Sequence, residues 1–65
     1  MTNVNLILPG DAGIVGLEVP QVPAKGDVVV IGERRYAVTR TTYLTMQASA
    51  SFYKTVTVNV HLRAE

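Results

Sequence analysis

The chain has no cysteine, no tryptophan and only one histidine. Without cysteine there is no disulfide and no thiolate to hold zinc, and nothing here calls for an oxidising compartment. No stretch approaches the roughly 20 apolar residues of a spanning helix. The opening "MTNVNLILPGD" places no basic segment ahead of its short apolar run. A soluble, intracellular protein is expected, without a membrane partner. One histidine cannot supply the paired-histidine spacing of a metal site, and the five carboxylates are scattered. A nucleophile needs an adjacent base, and His61 falls on the polar face of the last strand with no acid or nucleophile motif around it. "GDAG" at 10–13 and "KGD" at 25–27 are too poor in glycine for a phosphate cradle, and neither opens a helix. The expectation is a non-enzymatic protein with no cofactor and no metal.

Charge is also sparse, at a formal net of +1. Its distribution is uneven. Residues 1–32 carry Asp11, Glu18 and Asp27 against Lys25, a sum of −2. Residues 33–65 carry Arg34, Arg35, Arg40, Lys54 and Arg63 against Glu33 and Glu65, a sum of +3. The asymmetry hints at a basic face. Scattered surface charge that keeps a polar sheet face solvated is the ordinary alternative.

What the chain does have is β-branched residues. Valine, isoleucine and threonine account for 21 of 65 residues, and eleven are valine. Stiff at χ1, they favour strands over helices. The length allows one domain, residues 1–65, and so short a chain buries only about 60% of its unfolded surface. With disulfides and metals set aside, stability must come from an efficient core and self-association.

Val4, Leu6 and Leu8 alternate with Asn3, Asn5 and Ile7, the period of a strand. Pro9-Gly10-Asp11 ends it. Val15, Leu17 and Val19 alternate next, with Gly16 marking a weak point or bend. "PQVPAKGD" reads as a surface loop closing in a turn at Lys25-Gly26-Asp27. Val28 to Ile31 reads as a short central strand buried on both faces. Gly32-Glu33-Arg34 makes the next hairpin turn, and Arg35 to Leu44 returns. "TMQASAS" at 45–51 reads as a loop with no more than a helical turn. Phe52 to Leu62 is the clearest strand, with Val56, Val58, Val60 and Leu62 on one face. The core should therefore hold Val4, Leu6, Leu8, Leu17, Val28, Val30, Tyr36, Val38, Val56, Val58, Val60 and Leu62.

One conflict stands out. Tyr36 and Val38 lie on the core face, and the next position on it is Arg40. If 35–44 pairs regularly with 52–62, Arg40 meets Val56, and an unpaired arginine there is costly. A β-bulge within 39–42 would turn Arg40 outward and Tyr43 inward. It would also bend the strand, so that each of the two longest strands serves two parts of a barrel.

"PAKGDVVVIGERRYAV", through Pro23, Gly26, Asp27, Val28, Val30, Gly32, Tyr36 and Val38, resembles the start of many small SH3-like barrels. Short open reading frames of tailed bacteriophages look similar. The match covers about a quarter of the chain. It implies an all-β, five-stranded SH3-like barrel, a strongly bent antiparallel sheet, and a non-enzymatic binding role. In a phage this means an accessory, host-interacting or small virion protein, located in the host cytoplasm or the virion. The aromatic-rich groove of barrels that bind proline-rich peptides is missing: the aromatics are only Tyr36, Tyr43, Phe52 and Tyr53.

The residues expected to meet a partner are Arg34, Arg35, Arg40, Tyr43 and Tyr53. Tyr36 is read as core. The partner expected is a protein, with a second copy of the chain foremost, because small cores are so often completed by oligomerisation. The runner-up is nucleic acid, with arginines on phosphates and Tyr43 or Tyr53 stacked on a base. Against that stands a pI of only ≈ 8.2.

Overall fold

β-Branched alternation, interrupted by glycine turns, produces five strands and no helix in the computed structural model, which describes residues 2–10 and 12–65. They are β1 (Thr2–Ile7), β2 (Ile14–Val19), β3 (Val28–Ile31), β4 (Arg34–Ser49) and β5 (Phe52–Ala64). One sheet contains them all in the order β2-β1-β5-β4-β3, curled into a half-barrel. The all-β, five-stranded expectation is met. One pair departs from the antiparallel pattern: β1 runs parallel to β5, with Asn5, Leu6 and Ile7 beside Asn59, Val60 and His61. The outermost strands, β2 and β3, do not touch each other among the described residues, so the curl stays open along one side.

The turns follow glycine. Gly32, at φ 62, and Glu33 link Ile31 to Arg34. Positive φ at only the first of the two turn residues is the type II′ pattern, whose twist suits a hairpin. At the expected turn around Gly26 (φ 96), the Asp27 N–H donates to the Ala24 carbonyl at 3.0 Å. The Ala24 N–H in turn donates to Asp27 Oδ2 at 2.8 Å. Of the turn expected at Pro9-Gly10-Asp11, Asp11 lies outside the described residues; Gly10 has φ 63.

The core is the concave face. Val4, Leu6, Tyr36, Val38, Val58, Val60 and Leu62 are buried, with Leu8, Val15, Val19, Val22, Val29 and Ile31 packed against them. Four residues expected inside are not. Val28 and Val30 are exposed because β3 is an edge strand, not a central one. Its register sets Val29 opposite the buried Tyr36 and turns Val28 and Val30 to the convex side. Leu17 faces Val4 but sits at the open rim on β2, and remains 43% exposed. Val56 lies beyond the end of the body, as described below.

The expected bulge is present. Val38 pairs with Leu62 and Arg40 with His61, so Thr39 is the extra residue. Arg40 thereby faces the convex side, and Thr41 and Tyr43 turn to the side of Val60 and Val58. Its partner is His61 and not Val56, because the hairpin tip lies farther along the chain than a 45–51 loop implied. Both long strands do serve two neighbours: β4 pairs with β3 and β5, and β5 with β4 and β1.

Two stability predictions follow from this register. Leu6→Ala, at a site 1% exposed, is expected to cost about 2–5 kcal/mol, whereas Val30→Ala should stay within roughly 0.5 kcal/mol; urea melts measure both. Deleting Thr39 removes the bulge yet keeps Arg40 opposite His61, so the chain should remain folded. Deleting Thr41 either drives Arg40 onto the core face or flips the strand beyond it, and loss of the cooperative melt is expected.

Candidate interaction surface

Residues 45–51, expected as a loop, are mostly strand. Threonine, methionine and glutamine continue the ladder of β4 to Ser49, and Ala50-Ser51 turns the chain into β5. Small polar residues gave no period-two signal, but pairing with the strongly β-prone Phe52–Val58 imposes the strand. The turn contains no glycine and no positive φ, so it is not one of the primed turns that match strand twist. The mismatch is taken up beside it: Gln47 pairs with Tyr53 and Ser49 with Phe52, leaving Ala48 bulged. The Gln47 side-chain amide donates to the Ala50 carbonyl at 3.1 Å and ties the tip. A further register shift, between Leu44 and Thr45, leaves Val56 unpaired on β5.

The result is a two-stranded arm. β3 accompanies β4 as far as Ala37, the 23–27 loop is tied to it at Val38 and Thr41, and β1 accompanies β5 over Asn59–His61. Over residues 42–56 both edges of the hairpin are free. Every residue from 42 to 56 is exposed. The molecule measures 45 × 24 × 19 Å, and the eight residues from Thr42 to Ser49 span roughly 25 Å at strand rise.

This arm is not polar. Ten large hydrophobic residues are exposed among the described residues, and six of them lie here: Tyr43, Leu44, Met46, Phe52, Tyr53 and Val56, between 49% and 63% exposed. Lys54 is the only charge between residues 41 and 60. The register divides the side chains. Leu44, Met46, Phe52 and Lys54 share the convex side, while Tyr43, Thr45, Thr55, Val56, Gln47 and Tyr53 share the other. An isolated two-stranded ribbon is marginal in water, and free strand edges invite another chain. No family model, curated protein or solved structure matches the chain.

The five residues expected to meet a partner do not form one patch. Tyr43 and Tyr53 lie on the same face of the arm, opposite Val58 and Gln47 respectively and four residues apart along the ladder. Arg34 and Arg35 lie at the other end of β4, on opposite faces. Arg34 follows the β3 turn on the concave side; Arg35 is on the convex side, its Nε 3.5 Å from Glu65 Oε1. Arg40 stands between these groups on the convex face. Met46, Leu44 and Phe52 had no place in the expected surface. Met46 fell in the segment read as a loop, and Leu44 and Phe52 at the ends of the strands read on either side of it.

A second, polar surface surrounds His61. Opposite it is Arg40, two residues along is Arg63, and the Thr42 hydroxyl lies 3.4 Å from its Nε2. Asn59 accepts from the Asn5 side-chain amide at 3.3 Å on the same face. An open depression of about 450 Å³ between residues 21–23 and 27–29 has a single charged lining group, Asp27, already engaged by the Ala24 N–H. The Arg35–Glu65 pair is well exposed, 63% and 42%, so solvent screening leaves it little weight. Arg35→Ala is expected to leave the urea midpoint nearly unchanged; a clear loss of stability would assign the pair a structural role.

Proposed function

We propose that the protein is a non-enzymatic protein–protein interaction module that self-associates, and that its working surface is the β4–β5 arm. The observation that carries this reading is the run of exposed residues from 42 to 56, rich in large apolar side chains and nearly free of charge. Monomeric proteins rarely leave such a patch without a partner, and aromatic and methionine side chains are those enriched at interface centres. Tyr43 and Tyr53, two of the expected partner-binding residues, lie on it. The likeness of residues 23–38 to small SH3-like barrels and short bacteriophage reading frames agrees with a binding role, as an accessory, host-interacting or virion protein of a phage. Affinity capture from cells producing the chain should recover protein, copies of itself included, with native bait. The Tyr43→Ser/Tyr53→Ser and Met46→Glu/Phe52→Glu double variants should not both retain it. Recovery unaffected by either pair removes the reading.

A second reading has its own observation. Arg40, His61 and Arg63 share the convex face, with Asn5, Asn59 and Thr42 beside them, an arrangement that could meet a phosphate backbone. Binding to random single-stranded DNA or RNA through it should weaken with salt at a log–log slope of about −0.7 per phosphate neutralised. No binding at low salt ends that reading.

A further inference from the structure

We infer that the arm's occupant is the arm of a second copy, the two crossing about a two-fold axis with the bodies at opposite ends. The inference rests on the interaction-module reading and names the partner. Four observations carry it.

The first is area. The large side chains divide three to each face, each about half exposed or more, so one face offers on the order of 300 Å² per chain, against about 800 Å² per partner in a standard interface. Backbone, edge and small polar surface along the arm must supply the rest. The second is charge. With Lys54 alone between residues 41 and 60, the arm has nothing to select or steer toward a charged partner. Facing itself, it brings together only two lysines, whose long stems can carry the ammonium groups to the rim. The third is symmetry. An isologous contact requires one surface able to meet itself, and a ribbon with two free edges and apolar groups on both faces meets that condition. The fourth is need. Seven buried residues form the whole fully enclosed core among the described residues, and a chain of this size without disulfide or metal depends on association.

The pattern also argues against the body as the site. The exposed apolar residues there are Ile14, Leu17, Val28 and Val30, distributed over the two edge strands, β2 and β3, which do not touch.

Sedimentation or light scattering of the full chain across a wide concentration range tests this directly. The native chain should form dimers. Met46→Glu/Phe52→Glu or Tyr43→Ser/Tyr53→Ser, on the two faces of the arm, should weaken dimerisation at least tenfold, while Val30→Glu on the body should leave it unchanged. Circular dichroism and the methyl NMR signals of Leu6 and Val60 verify that the body stays folded. The absence of native cysteine allows a second measurement that needs no disruptive change. Lys54→Cys, at mid-arm, should form a disulfide-linked dimer on mild oxidation, and Glu33→Cys, at the β3–β4 turn, should not. A native chain that stays monomeric overturns the inference. So does a dimer that survives both arm variants, or cross-linking of Glu33→Cys in preference to Lys54→Cys. If the native chain is monomeric yet captures a different protein in an arm-dependent way, the second-copy assignment and self-association fall, and the arm stands as an interaction surface. If neither dimer nor arm-dependent capture is found, the module reading falls with them.

Discussion

The pairing of β4 with β5 is the constraint on which the rest of the molecule depends. These two strands contribute five of the seven buried side chains; β3 is added to β4 and β1 to β5, with β2 carried on β1. The bulge at Thr39 makes the pairing workable. With Thr39 left without a partner, Val38 and Thr41 both face inward while Arg40, between them, faces out. The Thr39 hydroxyl also donates to the His61 carbonyl at 3.2 Å, fixing the bulged backbone to the opposite strand. A nearby tie has a similar effect: the Thr41 hydroxyl donates to the Pro23 carbonyl at 2.7 Å and holds the proline-rich loop against β4. A single inserted residue thus reconciles a charged side chain with an apolar face and bends the longest strand.

Much of this was legible from residue order. Alternation in β1 and β5, glycine at the β3–β4 turn and the conflict at Arg40 each have a local cause, and each led to the observed feature. The errors share a different origin. Val28-Val29-Val30-Ile31 has no polar residue to indicate which side faces in, so its orientation depends on whether it is central or at an edge. That is decided by β4 through the Val29–Tyr36 pair. Residues 45–49 have no alternation of their own and become strand only because β5 is beside them. The parallel contact of β1 with β5 joins residues far apart in sequence, and no local pattern encodes it. In the candidate surface, Tyr53 could be singled out as an exposed aromatic; Tyr43, expected to turn inward at the bulge, does face the side of Val58 but is left exposed there. Their union on one face required knowledge of the bulges, and so did their separation from the arginines.

The molecule therefore divides by physical character more than by sequence position. The body is a small core under a polar convex face, with a depression at its loop side and arginines distributed around it. The arm has the reverse composition, apolar and open where the body is closed. Three register irregularities lie on the β4–β5 hairpin, two of them beyond the body. Each bulge adds right-handed twist, so the arm is a coiled ribbon and not a flat one. That lowers the tendency of its edges to propagate into an endless sheet, since flat edges stack most readily. Association that stops at a closed pair is what such a shape favours, in keeping with the interaction role proposed above.

The parallel junction of β1 and β5 has a kinetic consequence. From β3 onward each strand pairs with the next along the chain, through turns as short as Gly32-Glu33 and Ala50-Ser51. The β1–β2 hairpin is also local. Only Asn5–Ile7 against Asn59–His61 joins the two, across about fifty residues of intervening chain, and the entropy of that closure is incurred before Leu6 meets Val60. The native state thus requires the β1–β2 hairpin and the β3–β4–β5 meander to close on each other at three residue pairs. The sequence separation of those pairs puts an entropic cost on closing the core that no local turn carries.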